Sequence, residues 1–293
     1  MDHPDKVSRH LSVAGVRVPG FVYGTAWKEA DTERLTRLAL EAGFRGIDTA
    51  NQRRHYHEAG VGAAIARAFA SGLVQRDELF LQTKFTSVGG QDHRLPYDPG
   101  ADDATQVRQS FASSLEHLQI GTLDSYVLHG PARRFGLTPS DLEVWQAMEE
   151  LHSAGKTRFL GVSNVGLDQL EELCARATTP PAFVQNRCFA RSGWDREVRA
   201  FCRERGIVYQ GFSLLTANRA ELRHPAFERL VARAGKTPAQ VVFRFALQVG
   251  MQPLTGTTDP GHMREDLQSY QFELSSEDMR LVEGIASVAA PGG

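Results

Sequence analysis

Eight times along the 293 residues, a short apolar or β-branched run is followed by a longer segment whose apolar positions recur at helical spacing. A strand turns alternate side chains to opposite faces, whereas a helix returns to the same face every third or fourth residue. The alternation of these two periods therefore constrains the fold more than any single motif does. The strand-like runs are 20–24, 46–48, 79–83, 124–128, 158–162, 182–185, 207–212 and 252–255. The helical segments between and after them are 32–42, 59–70, 104–118, 140–153, 167–177, 195–205, a region over 226–249, and 261–269. Eight such pairs over about 250 residues predict an α/β fold of the single closed (β/α)8 barrel type. An open doubly wound sheet is the alternative. No Pro/Gly/Ser-rich linker divides the sequence, so one barrel domain over 1–293 is expected.

Local chemistry agrees with this frame. Gly43 and Gly206 stand just past predicted helices, while Thr138-Pro139-Ser140 and Thr237-Pro238 resemble helix starts. Residues 13–19 predict an N-terminal β-hairpin turning at Ala14-Gly15 and covering the bottom of the barrel. The longest unpatterned stretch, 85–103, holds Gly89-Gly90, Leu95-Pro96 and Pro99-Gly100, and a loop of that length is expected either to be disordered or to line a site.

Lys and Arg total 33 against 35 for Asp and Glu, with no long run of either sign, so neither nucleic acid nor an anionic membrane is an expected partner. Residues 1–20 lack the charged-then-apolar layout of a secretory leader, and no apolar run is long enough to span a bilayer; a cytoplasmic location is expected. Cys174, Cys188 and Cys202 stand at no metal-ligand spacing and are expected to be reduced and packed.

In a barrel of this kind, chemistry is carried at the C-terminal ends of the strands. Those positions read Gly24-Thr25, Asp48, Lys84, His129, Ser163-Asn164, Gln185, Phe212-Ser213 and Gly256-Thr257. Each polar residue taken singly has an ordinary structural explanation, such as a turn cap or a solvated strand end. Their convergence on one mouth does not, because so many polar groups are costly to bury without partners. A metal-dependent hydrolase would exploit His55-x-His57 and Asp259, but would also want histidines after the middle strands, where Ser163-Asn164 and Gln185 stand instead. No metal is expected.

Six segments in this order resemble the aldo-keto reductase family from about Val16 to Ala286. They are Gly43-Phe-Arg-Gly-Ile-Asp-Thr-Ala50, Leu81-Gln-Thr-Lys84, Leu123-Asp-Ser-Tyr-Val-Leu-His129, Gly155-Lys-Thr-Arg-Phe-Leu-Gly-Val-Ser-Asn164, Gly206-Ile-Val-Tyr-Gln-Gly-Phe-Ser213 and Gly256-Thr-Thr-Asp-Pro260. The resemblance implies a barrel that binds a nicotinamide cofactor without a Gly-x-Gly-x-x-Gly loop, and reduction of an aldehyde or ketone. It implies a catalytic set of Asp48, Tyr56, Lys84 and His129. In that set Lys84 lowers the tyrosine pKa, Asp48 holds the lysine, Tyr56 gives the proton and His129 orients the carbonyl.

One departure stands out. The family's tyrosine lies five residues after the aspartate, where this chain has Arg53; Tyr56 lies eight residues on, across a lengthened loop. Counting back from Val61-Gly62 instead reaches His55, which is the alternative acid.

For the cofactor, NADPH by family default with NADH possible, the resemblance places Ser163, Asn164 and Gln185 on the carboxamide and Phe212 against the nicotinamide ring. It places Gly24, Thr25, Ala26, Ser213 and Leu215 along the ribose and pyrophosphate. It places Gly256, Thr257, Thr258, His262 and Asp266 at the adenosine end, with Arg264 cationic nearby and free N–H groups at the helix start near Asp259-Pro260. Trp27, His55 and Trp194 are expected to line the substrate pocket. The sequence stops soon after the helix ending near Ala286, which implies a fairly open mouth for a small-molecule carbonyl substrate. Competing readings are a non-catalytic nicotinamide-binding subunit that senses redox state, and an alcohol-oxidising dehydrogenase of the same fold.

Overall fold

A computed structural model describes residues 7–287; the polar start at 1–6 lies outside the described residues. In chain order the elements are β1 (His10–Val13), β2 (Val16–Pro19), β3 (Val22–Gly24), α1 (Thr32–Ala42), β4 (Gly46–Asp48), α2 (Glu58–Ala70) and β5 (Phe80–Phe85). Then come α3 (Asp103–Leu118), β6 (Leu123–Leu128), α4 (Pro139–Ser153), β7 (Thr157–Ser163), α5 (Leu167–Arg176) and β8 (Phe183–Arg187). The last are α6 (Arg196–Glu204), β9 (Val208–Phe212), α7 (Pro225–Ala234), α8 (Pro238–Gln248), β10 (Gln252–Thr255), α9 (Pro260–Leu267) and α10 (Ser276–Glu283). The strands order as β10-β3-β4-β5-β6-β7-β8-β9 in a closed barrel. The alternation of periods in the sequence is thus a (β/α)8 barrel.

Two compact parts make up the chain. The first, Val22–Gln185, holds β3 to β7 and most of β8. Its parallel register pairs Gly24 with Asp48, Asp48 with Gln82, and Ser163 with Gln185. β3 and β4 therefore end level with each other, while β5 runs on past the end of β4 and carries Lys84 two residues beyond the partner of Asp48. Helices cover the strands with one apolar face each: Leu35, Ala39 and Leu40 of α1 are buried, as are Val61, Ala64 and Ile65 of α2. At Gly62 a Cβ would lie 1.9 Å from the His117 carbonyl oxygen, so only glycine allows α2 this close to the end of α3. Side-chain oxygens start the helices as expected. Asp102 Oδ1 accepts from Thr105 N at 2.6 Å ahead of α3, and Thr138 and Asp141 form a reciprocal cap ahead of α4.

The second part runs to Phe21 and resumes at Asn186. The hairpin β1–β2 turns at Ala14 (φ 46°) and Gly15 (φ 79°), the pair of positive φ angles that lets a two-residue turn match the twist of its strands. The Pro19 carbonyl accepts from Gln252 Nε2 at the start of β10, which ties the hairpin to the bottom of that strand. The helical region over 226–249 is two helices. Gly235 (φ 60°) ends α7, and Thr237, Pro238 and Gln240 restart the chain as α8. No cysteine is in a disulfide; Cys188 and Cys202 are buried and Cys174 is half-buried.

Candidate active site

Strand β5 carries the polar axis of the first part. Side chains two apart on a strand share a face, so Gln82, Lys84 and Thr86 just past the strand form one column, and they are 1%, 0% and 5% exposed. An ammonium this deep needs a counter-charge on the neighbouring strand. Lys84 Nζ donates to Asp48 Oδ2 at 2.6 Å and to the Thr49 carbonyl at 2.8 Å. The other Asp48 oxygen, Oδ1, accepts from Gln82 Nε2 at 2.7 Å and from Gln185 Nε2 at 2.9 Å. Burial pulls the Lys84 pKa down and Asp48 pulls it back up. On the opposite face of β5, Thr83 Oγ1 donates to the buried Glu58 carboxylate at the start of α2, which also meets His117 Nδ1 at 3.0 Å. That contact fixes the far end of the lengthened loop.

The loop returns Tyr56 to the axis. Its ring lies edge-on to His129 with centroids 5.9 Å apart, and Lys84 Nζ stands 5.3 Å from its centroid. His55 turns instead onto Trp27, 3.9 Å between rings, while the Trp27 backbone N–H donates to the His55 carbonyl at 2.7 Å. Trp27 is 69% exposed, as suits a rim residue.

The direction of the tyrosine shift differs from the sequence expectation. Burial first, and the Asp48 carboxylate second, raise the Tyr56 phenol above its ordinary range. The phenol is therefore a protonated donor at neutral pH. His129 follows β6 directly, and burial with the nearby Lys84 charge lowers its pKa to about 3, so the imidazole is neutral. The ring Nδ1 of His129 lies 2.6 Å from Thr86 Oγ1, its backbone N–H donates to the Phe85 carbonyl at 2.9 Å, and its backbone carbonyl accepts from Asn164 Nδ2 at 2.8 Å.

The long loop after β5 is pinned to this cluster. Tyr97 Oη donates to the Thr86 carbonyl at 2.7 Å, Gln91 Nε2 to the Asn51 carbonyl at 2.9 Å, and Gln52 Nε2 to the Gly90 carbonyl at 2.8 Å.

The residues expected around the carboxamide are partly occupied by the protein itself. Ser163 Oγ donates to the Gln185 carbonyl at 2.6 Å and accepts from Asn164 Nδ2 at 3.1 Å. Asn164 is exposed and held at φ 54°, a conformation asparagine tolerates better than most residues. Thr25, expected along the cofactor, is fully buried. Its N–H and its hydroxyl both go to the Asp48 carbonyl, at 3.0 and 2.9 Å, so it positions Asp48. Gly24 and Ala26 beside it are half-buried.

In the second part, Phe212, Ser213 and Leu215 are all half-buried, and Ser213 has φ 56°. Asn218, fully buried, organises this turn by donating to the Cys188 and Leu214 carbonyls and accepting from Ala190 N. At the start of α9 the expectation of free N–H groups is overturned. Asp259 Oδ1 accepts from Gly261 N at 2.6 Å and His262 N at 3.0 Å, so the helix caps itself with a carboxylate. Gly256, Thr258, His262 and Arg264 are exposed around it, and Thr257 is half-buried. Asp266 is also corrected: it is 3% exposed, accepts from Thr255 Oγ1 at 2.8 Å, and has its pKa pushed up to about 6 by burial. It joins α9 to β10. Trp194, expected to line the pocket, is fully buried. Its Nε1 donates to the Val282 carbonyl at 2.8 Å and its ring packs on Phe245, so it anchors α10.

Four of these working residues were not singled out from the sequence: Gln82, Thr86, Glu58 and Asn218. The first two carried a signal, since each lies two residues from Lys84, one within the buried strand β5 and one just past its end. The contacts of Glu58 and Asn218 cross large sequence separations and left none.

A closed barrel with an Asp–Lys pair buried between adjacent strands, and a tyrosine and a histidine beside it, defines a class of oxidoreductase barrels. The aldo/keto reductase family model matches residues 21–287, and the chain belongs to that family. Among its relatives are an NADPH-dependent codeinone reductase 1-4 of Papaver somniferum, 31% identical, and Protein REDOX 2 of Catharanthus roseus, 30% identical. Each alignment covers 93% of this chain and 87% of the relative. The fold matches an aldo/keto reductase from Brucella melitensis at TM-score 0.80 and 24% identity, covering 94% of this chain and 98% of that one. It also matches an aldo-keto reductase complexed with NADPH at TM-score 0.79 and 23% identity, covering 94% and 87%.

Proposed function

We propose that the protein reduces a small-molecule aldehyde or ketone to the alcohol with NADPH. The observation that carries this reading is the buried Lys84–Asp48 pair with the Tyr56 and His129 rings against it. Bound NADPH supplies hydride to the carbonyl carbon. Tyr56 Oη gives its proton to the carbonyl oxygen as the C–O bond becomes single, and the phenolate that remains recovers a proton from solvent. Lys84 is the cation beside that phenolate, kept charged by Asp48 in a place where burial works against it. His129, neutral, donates a hydrogen bond to the carbonyl oxygen and fixes its direction.

Residues suited to the cofactor are present. Asn164 is exposed and, with Nδ2 directed at the His129 carbonyl, offers its amide oxygen to a carboxamide N–H; Phe212 is only half-buried and presents part of its ring. In this reading Ser213 and Leu215 follow the ribose and pyrophosphate, and Gly256, Thr257, Thr258, His262 and Arg264 serve the adenosine end. Trp27 and His55 form one wall of the substrate mouth. The strand order supports treating the whole chain as one barrel domain. Among the described residues no helix is long and apolar enough to cross a membrane, and no metal-binding group of side chains exists. A cytoplasmic site of action accords with three cysteines outside any disulfide.

The test is NADPH oxidation with a panel of aldehydes and ketones. Turnover that falls at least 100-fold in Tyr56→Phe, with cofactor binding retained, is the expected result. Tight cofactor binding with no turnover in the parent enzyme would instead favour a redox-sensing subunit.

A further inference from the structure

Thr86 ends the polar column of β5, and nothing in the assignment above uses its hydroxyl. Thr86 Oγ1 lies 2.6 Å from His129 Nδ1 and is part of a 5% exposed residue. A neutral imidazole has one N–H and one lone pair, so this contact has two possible directions. If Nδ1–H donates, the hydroxyl accepts, and its own hydrogen is left with no acceptor among the described residues. If the hydroxyl donates, Nδ1 accepts, both atoms are satisfied, and the ring proton must sit on Nε2. Leaving a buried hydroxyl hydrogen unpaired is the costlier arrangement, so the second direction is favoured.

We propose that Thr86 is a positioning residue that holds His129 as the Nε2–H tautomer, with its one donor directed to the substrate carbonyl. The inference rests on the reading of His129 as the group that orients that carbonyl. In the opposite tautomer Nε2 would present a lone pair, which repels a carbonyl oxygen instead of binding it.

The surroundings keep Thr86 itself in place. Its carbonyl accepts from Tyr97 Oη at 2.7 Å and Gln91 Nε2 at 3.3 Å, so the long loop after β5 braces the residue that braces the histidine. The His129 backbone is held by the Phe85 carbonyl on one side and Asn164 Nδ2 on the other, leaving the ring torsion as the freedom Thr86 removes. The Thr86 methyl packs against Gly90, where an added Cβ would lie 2.6 Å from it.

Thr86→Val keeps that methyl, the shape and both backbone contacts while deleting the hydroxyl, and Thr86→Ser keeps the hydroxyl. Nitrogen NMR of histidine-labelled protein reads the ring directly. The parent protein is expected to show His129 with Nε2 protonated and Nδ1 as a hydrogen-bonded, unprotonated nitrogen. In Thr86→Val the Nδ1 resonance moves toward the value of a free unprotonated nitrogen, and Thr86→Ser restores it. In steady-state reduction Thr86→Val lowers kcat with KM little changed, by on the order of 10- to 100-fold by analogy with loss of the hydrogen-bond partner of a metal-ligating histidine. Thr86→Ser recovers most of that loss. A protonated Nδ1 in the parent protein overturns the proposal, as does a Thr86→Val variant with parental kcat and an unmoved Nδ1. Absence of turnover by the parent enzyme would instead sink the reductase reading, and the nitrogen resonances would still decide the role of Thr86.

Discussion

Replacing Asp48 by Asn tests the buried pair more severely than any change at the rim. The carboxylate has two jobs: Oδ2 accepts from Lys84 Nζ at 2.6 Å, and Oδ1 accepts from Gln82 and Gln185. An amide cannot do both. If its oxygen faces the two glutamines, its NH2 faces an ammonium; if it is flipped, three NH2 groups crowd together. Lys84, 0% exposed, keeps the Thr49 carbonyl and at best a neutral amide oxygen where its counter-charge stood. Breaking a buried ion pair from one side costs about 3–5 kcal/mol, a large share of the roughly 5–15 kcal/mol that holds a domain folded.

At about 2 °C per kcal/mol for a chain of this size, calorimetry should show Tm lower by roughly 6–10 °C at pH 7. The loss should also depend on pH. Burial already lowers the folded-state pKa of Lys84, and removal of Asp48 lowers it further. Between that value and the unfolded value near 10.5 the unfolded chain binds the extra proton, so stability rises with pH across this window. The gap between variant and parent should therefore narrow from pH 7 toward pH 10. A variant within 2 °C or so of the parent at pH 7, or a gap that widens with pH, would refute the argument that an uncompensated ammonium is the cause. Adding Lys84→Met to Asp48→Asn should recover much of the stability and none of the turnover.

Three further outcomes follow from the geometry. His55→Ala should retain turnover and raise KM for bulky carbonyls, because His55 stacks on exposed Trp27 and Tyr56 is the ring beside Lys84; loss of kcat comparable to Tyr56→Phe would make His55 the acid. Trp194→Ala should destabilise the fold by about 3–5 kcal/mol in urea unfolding while leaving KM unchanged, since the side chain is wholly buried; a KM effect in a folded variant would return it to the pocket. Asp266 keeps its proton up to about pH 6 when folded and releases it near 3.8 when unfolded, so stability falls as pH rises between those values and is flat above. Asp266→Asn should therefore be stabilising at pH 7, by up to about 3 kcal/mol, and neutral below pH 3.8, as read by urea unfolding at the two pH values; destabilisation at pH 7 would contradict it.

What the sequence determined by itself is the frame and the strand-end chemistry. Period-2 runs alternating with period-3.6 segments define βα units, and Asp48, Lys84 and His129 were legible because each ends an apolar run. Such information is local, carried by the spacing of side chains along one element. The hairpin turn at Ala14-Gly15 was legible for the same reason.

The tertiary structure decided everything that depends on where a loop returns. The count from Asp48 to Tyr56 could not say which ring faces Lys84, because a lengthened loop can bring back either His55 or Tyr56; the Trp27 stack on one side and the Glu58 anchor on the other choose Tyr56. Trp194, after β8, and Asp266, in the helix after β10, both turn inward, where Trp194 Nε1 donates to the Val282 carbonyl and Asp266 Oδ2 accepts from Thr255. Whether the start of α9 offers its N–H groups depends on one rotamer of Asp259, and composition cannot specify that. Strand-end position is a one-dimensional property; the direction of a side chain is fixed only by the partners that fold around it.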